Sequence, residues 1–255
     1  IAGAGDNAAA AVGTGVVGEG GCNISLGTSG TLFVSSEKYK EDKVNALHSF
    51  CHADGGWHLM GCILSAASCN SWWVNGILQS DNYKREEAGL EAFLGKNDVY
   101  FLPYLMGERS PHNDVSARGA FIGMRPDTAR GHMTLAVLEG VTFALRDCLE
   151  AAKRNGVQIT RTKLCGGGAK SPLWRMIVAN VMNVPVELPQ TEQGPSYGAA
   201  MLAMVGCGEY TSVQEAASAI VRIRETILPD PRVAARYEER YRHFTGLYPA
   251  LKGLF

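Results

Sequence analysis

Two glycine-rich turns and one aspartate are the places where this sequence has the means to do chemistry. Gly27-Thr28-Ser29-Gly30 sets two hydroxyls and a run of amides at a tight bend. Donors converge there with no Cβ to block approach, which suits the oxygens of a phosphate group. Read alone, a plain hairpin turn is the simpler account of those four residues. Gly166-Gly167-Gly168-Ala169 lies between a strand-like run and a helix start marked by Ser171 and Pro172. Three successive glycines cost chain entropy, and bare backbone at a helix N-terminus suits a flat ring or a phosphate. Asp6 heads an alanine-rich helical run and is placed to cap it. There the helix dipole and free N–H groups favour the ionised carboxylate. Such a group can take a proton from a hydroxyl that attacks a phosphoryl group. A simple cap worth about 1 kcal/mol is the bland alternative, and spacing does not separate the two.

Other candidates carry less. No G-x-x-x-x-G-K-[ST] occurs, and Gly13, Gly15 and Gly18 fit G-x-G-x-x-G only behind a helical alanine run, not a strand. His48, His52 and His58 fall on facing hairpin strands, where packed or solvated rings are expected and no metal site is. Trp57, Trp72 and Trp73 read as core or interface. Glu108-Arg109, in a polar loop, reads either as an internal ion pair that shapes the loop or as a contact to ligand.

These residues need elements to position them. Runs at 22–26 and 31–35 flank the first glycine turn as a hairpin, and 48–52 with 57–61 form a second around Asp54-Gly55-Gly56. Residues 64–78 read as a helix and 99–102 as a short strand. The longest helix spans 129–155: Met133, Val137, Leu138, Val141, Leu145 and Leu149 keep helical spacing, and Gly156 stops it. A strand at 162–165, a helix at 172–182, a strand at 184–188 and a helix at 196–205 follow. The tail, 232–251, reads as an outer helix whose Tyr237, Tyr241 and Phe244 pack on the domain itself. A homodimer through that face is the alternative. Hairpins followed by alternating strands and helices imply an α/β layer structure, a mixed sheet with flanking helices.

Composition narrows the function classes. At 255 residues with 46% hydrophobic and 19% charged, the chain has ample core and is not disordered. Twenty-four basic residues against twenty-five acidic leave no charge that gathers nucleic acid or an anionic membrane. Apolar stretches break well short of about 20 residues, so no bilayer span is expected, and no leader is visible. Seven single cysteines without a C-x-x-C pair point to reduced thiols and a cytoplasmic setting. Thirty glycines exceed the usual ~7% and imply backbone that turns sharply or approaches something closely. The chain opens on Ile1 with a glycine motif already under way at Gly3, as expected of a piece cut from a longer protein.

Taken together, the motifs resemble the FGGY carbohydrate kinases and, among them, the bacterial xylulokinases. Residues 119–139 (GAFIGMRPDTARGHMTLAVLE) fit that family's second signature at every fixed position. Residues 3–13 (GAGDNAAAAVG) resemble the segment with its catalytic aspartate, and 25–31 (SLGTSGT) its second phosphate motif. Residues 48–52, 57–60, 64–69 and 101–112 are similar to xylulokinases in particular. Gly166-Gly167-Gly168-Ala169-Lys170 resembles the adenosine motif, and Gly194-Pro195 with Gly198 fits the segment after it. The resemblance covers essentially the whole chain. It implies an actin-like ATPase (ribonuclease H-like) domain, 1–255, forming the C-terminal nucleotide-binding half of a two-domain enzyme whose N-terminal sugar-binding domain has no counterpart here. It also implies ATP-dependent phosphorylation of D-xylulose to D-xylulose 5-phosphate, with Mg²⁺ arriving on the ATP. Asp6 would be the base and Asn7 would lie beside the pentulose. Thr28, Ser29 and Gly30 would lie near the transferred phosphate, and Gly123, Gly167, Gly168 and Ala169 would border the nucleotide. The isolated fragment is expected to be inactive. A kinase for another sugar or polyol (ribulose, gluconate) is one alternative, and a non-catalytic nucleotide-binding module is another.

Overall fold

Strand β2 (Gly30–Ser36) shows how the sheet is built, because its alternation serves two cores at once. Leu32 and Val34 enter the main core, while Phe33 points to the opposite face and packs with Ala11 and Val16. A sheet buried on both faces in this way must carry helices on both. The computed structural model, which describes residues 3–44, 46–191 and 193–255, bears this out. In chain order it contains α1 (Asp6–Gly13), β1 (Cys22–Leu26), β2, β3 (His48–Cys51), β4 (Trp57–Ile63), α2 (Ala67–Ser71), α3 (Tyr83–Glu87), β5 (Tyr100–Leu102) and β6 (Ala120–Ile122). Then come α4 (Arg130–Arg154), β7 (Thr162–Cys165), α5 (Pro172–Met182), β8 (Val186–Pro189), α6 (Gly194–Gly206), α7 (Val213–Ile220), β9 (Ile223–Ile227) and α8 (Pro231–Leu251).

The main sheet runs β3-β4-β2-β1-β7-β8-β9. Pairs β1–β7 and β7–β8 are parallel, and the others are antiparallel. On one face lies α4, whose Leu135, Val137, Leu138, Val141, Leu145 and Leu149 are fully buried. Each such side chain contributes about 2 kcal/mol relative to exposure. Helices α5 and α8 complete that layer. Tyr237, Tyr241 and Phe244 of α8 set their rings 5.1–6.1 Å from Phe143, so the tail packs on its own domain as expected. The buried Glu139 carboxylate is fully matched there by Tyr237 Oη (2.8 Å), Arg240 Nη2 (2.8 Å) and Asn97 Nδ2 (3.2 Å).

On the other face α1 and α6 cross so closely that backbone meets backbone. A Cβ on Gly13 would collide with the carbonyl oxygen of Gly194, and one on Gly198 with that of Ala9. Val12, Met201, Leu202, Ala216 and Ala217 close this layer around α7.

Several expected elements are moved. Asp6 is the first helical residue and Gly5 the N-cap, so the aspartate does not cap α1; its Oδ1 accepts from the amide of Asn7 (2.8 Å). The helix expected from 64 starts only at Ala67, because the amides of Ala66 and Ala67 are engaged by the first glycine turn. From Trp72 to Ile77 it widens into a π-helix. β5 stays out of the main sheet and pairs with β6 as a separate ribbon. Gly140 lets that ribbon lie across α4, since a side chain there would strike the carbonyl of Phe101. α7 and the edge strand β9 were not foreseen.

Candidate functional site

Because β1 and β7 are parallel neighbours, with Ser25 opposite Cys165, they release the chain at the same edge of the sheet. Such an edge, beyond the carboxyl ends of strands, is where open α/β sheets place ligands. β1 leads into the first glycine turn and β7 into the triple-glycine loop, so two segments about 140 residues apart meet there.

The first turn is held from behind. The carbonyls of Gly27 and Thr28 accept from the amides of Ala67 (2.8 Å) and Ala66 (2.9 Å), and Thr28 also accepts from Ser68 Oγ (2.7 Å). Among the described residues the amides of Thr28 and Ser29 donate to no protein acceptor. Thr28 is exposed and Ser29 half-buried. Gly30 is buried and has a packing reason to be glycine: its Cβ would stand 2.7 Å from Ile63.

In the second loop the three glycines differ. Gly166 has φ +89°, and a Cβ there would approach the Leu26 carbonyl carbon at 2.6 Å. Gly168 would meet Leu26 and the Trp174 ring at 2.8 Å. Among the described residues Gly167 meets nothing within 4 Å, and it needs no left-handed backbone, so nothing described in the fold demands a glycine there. Ser171 then caps α5, accepting from the amide of Trp174 (3.0 Å), while its hydroxyl donates to Glu87 Oε2 (2.5 Å).

Between the two loops opens a cleft of ≈ 750 Å³, lined by Gly27, Thr28, Ser68, Asn70, Tyr83, Lys84, Glu87, Gly167, Gly168, Lys170 and Ser171, among others. That is the size of a pocket for a ligand of several hundred daltons. Lys84 and Lys170 are exposed and bring positive charge to it, whereas Glu87 is buried, and burial raises its carboxyl above the usual range. On the far side of the loop a smaller hollow, ≈ 250 Å³, is lined by Cys165, Gly167, Ala169, Lys170, Thr191 and Arg224.

The sequence candidates thus divide. Thr28, Gly167 and Gly168 share the cleft, with Ser29 and Gly30 completing the turn; Ala169 lines the smaller hollow. Asp6 and Asn7 stand exposed at the head of α1 and are not part of the cleft wall. Gly123 is not part of it either; its φ of +89° and a close approach to the carbonyl of Asp98 account for the glycine. Asn70, Tyr83, Lys84 and Glu87 were missed. For the last three the one local signal is Asn82, whose side chain caps α3 by accepting from the Arg85 amide.

The remaining candidates are structural. His52 Nε2 bonds the Val16 carbonyl (2.9 Å), and His58 stacks on Phe33 at 4.0 Å, where burial pushes its pKa down to about 4. Among the described residues no group of three His, Cys, Asp or Glu side chains is placed to hold a metal ion. Trp73 is buried and donates to Thr134 Oγ1 (2.9 Å), in line with a core role. Glu108 makes no ion pair with Arg109: its Oε1 accepts from the backbone amides of Leu64 (3.0 Å) and Arg109 (2.7 Å).

The profile of the FGGY family of carbohydrate kinases, C-terminal domain, matches residues 22–207. This chain belongs to the FGGY carbohydrate kinase family. The xylulose kinase of Escherichia coli (strain K12) is 38% identical over 253 residues, covering 98% of this chain and 52% of that protein. The crystal structure of a xyloylose kinase from Brucella ovis superposes with a TM-score of 0.92 at 40% identity, over 99% of this chain and 52% of that one. A gluconate kinase from Lactobacillus acidophilus gives 0.88 at 25% identity, over 94% and 49%. This FGGY chain therefore spans about half the length of the curated relatives it matches. Its neighbours carry the actin-like ATPase fold, and the expected mixed sheet with helices on both faces is borne out. No helix among the described residues is long and apolar enough to cross a membrane.

Proposed function

We propose that this chain is the C-terminal, nucleotide-binding half (1–255) of a cytoplasmic, ATP-dependent sugar kinase that converts D-xylulose to D-xylulose 5-phosphate. The observation that carries the reading is the single cleft shared by the Thr28 turn and the Gly167–Gly168 backbone. ATP would lie with its phosphates at the Thr28-Ser29-Gly30 turn, whose Thr28 and Ser29 amides have no protein acceptor among the described residues, and with its nucleoside against Gly167, Gly168 and Ala169. Lys84 and Lys170, exposed at the cleft, give it positive charge that favours an anionic ligand overall. Mg²⁺ fits as a companion of the phosphates, since hard cations with few protein ligands are common at such sites. The sugar follows from the kinship to xylulose kinases; gluconate and other polyols are separated from it by a substrate panel.

Asp6 supplies the base, with Asn7 beside the sugar. Both stand clear of the cleft wall, on the exposed head of α1. The missing half of the enzyme would bring the sugar hydroxyl to it, and closure of the two halves would assemble the site. Phosphoryl transfer asks for such positioning and electrostatics, and for removal of one proton. The test is Asp6→Asn in the full-length kinase. Turnover, read as sugar-dependent ADP release, should fall at least about a hundredfold while ATP affinity holds. The fold should lose no more than about 0.5 kcal/mol. Retained turnover with intact folding removes Asp6 from the mechanism.

A further inference from the structure

Glu87 is a charged side chain only 8% exposed in the wall of the cleft. Its Oε2 accepts from Ser171 Oγ, and Ser171 is in turn fixed by the Trp174 amide at the head of α5. Those two bonds anchor one oxygen of the carboxylate. Among the described residues Oε1 has no hydrogen-bond partner, yet it is not one of the polar atoms sealed from solvent without one. It therefore opens on the cleft.

A buried carboxylate satisfied on one side only costs stability, and burial raises its pKa accordingly. A ligand that supplies a donor recovers that cost. An ionised carboxylate accepts and cannot donate, so its match is an N–H or O–H group and never a phosphate oxygen. Its charge also turns phosphates away from this wall and toward the Thr28 end. What remains beside Glu87 is the uncharged end of a nucleotide. Asn70 lines the same cleft; its Oδ1 is sealed from solvent, which leaves its Nδ2 as the atom able to meet a ligand.

We propose that Glu87 determines nucleotide specificity by accepting, through Oε1, a hydrogen bond from a donor on the nucleoside, either a ribose hydroxyl or the exocyclic amine of the base; the inference rests on the nucleotide reading above. The experiment is calorimetric titration of the full-length protein and its Glu87→Gln variant with ATP, 2′-deoxy-ATP, 3′-deoxy-ATP and purine riboside triphosphate. The carboxamide introduced by that substitution can keep the bond to Ser171 while turning an NH₂ toward the ligand. ATP should then bind about tenfold more weakly to the variant, and the difference should vanish for the one analogue that lacks the donor. Loss of the difference with a deoxy analogue identifies the hydroxyl, and with purine riboside triphosphate the amine. An equal loss for all four ligands, or no loss, shows a purely structural carboxylate and overturns the inference while leaving the kinase reading intact. Failure of the unsubstituted protein to bind any of them overturns both.

Discussion

Glycine has opposite meanings at the two places where this chain uses it most. At the α1–α6 crossing, Gly13 and Gly198 are small because another backbone fills the space where their side chains would go. In the loop after β7, Gly167 faces open volume, and among the described residues nothing explains its size. The first pair serves packing. The second is explained only by something that comes to lie against it. The contrast shows that glycine content alone says nothing about function until each position is asked what its missing Cβ would touch.

The contrast breaks most visibly if Gly198 tolerates a methyl group. Gly198→Ala forces α6 away from the carbonyl of Ala9 along a contact with no flexible side chain to yield. We expect a loss of about 3 kcal/mol, or a Tm lower by roughly 6–12 °C, read by thermal or urea unfolding. An unchanged Tm would mean that the helices are not in backbone contact. Gly167→Ala is the matching probe at the other end of the comparison. It has room and an accessible backbone conformation, so stability should hold or rise by about 0.4 kcal/mol through reduced freedom of the unfolded chain. Nucleotide affinity, by contrast, should fall about tenfold. Equal affinity for ATP in this variant would remove the loop from the binding surface.

That division of labour was only partly legible in the sequence. The hairpins, the long α4 and the strand–glycine–helix order after β7 were, because periodicity and turn chemistry are local signals. The α1–α6 crossing was not: Gly13 and Gly198 lie 185 positions apart, and no local pattern pairs them. β9 escaped because four of its five residues, Ile223 to Thr226, are exposed, which leaves no buried face to imprint alternation. The short β5 gave a strand signal, but its partner β6 sits about 20 residues on, inside a motif that reads as a loop. Asp6 was displaced by one position, since Gly5 and Asp6 both suit a helix start. Glu87 sits in the charged run Lys84-Arg85-Glu86-Glu87, where either glutamate reads as solvated. Only tertiary structure sends Glu86 to Arg130 and Glu87 to Ser171 beside the cleft.

The same question, what does this group touch, sorts the buried carboxylates. Glu139 is matched on both oxygens, so the core around α4 and α8 holds it as part of a closed network. Glu108 has Oε1 bonded to two amides and Oε2 buried with no partner, and burial pushes its pKa up to about 8. Its folded pKa lies above the unfolded value of 4.5, so between those two pH values the native state holds a proton that the unfolded state has released. The stability associated with Glu108 is thus complete below about pH 4.5 and lost as pH rises through about 8. Asp147, pushed up to about 7, adds a slope of the same sign, and Glu108→Gln leaves that part in place. The variant should therefore flatten, without abolishing, the decline in Tm between about pH 5 and about pH 8. At the alkaline end it should gain about 1 kcal/mol, held to that size because the new amide inherits the partnerless position. A Tm profile parallel to that of the unsubstituted protein would show that Glu108 stays ionised in the fold, and that its second oxygen finds a partner after all.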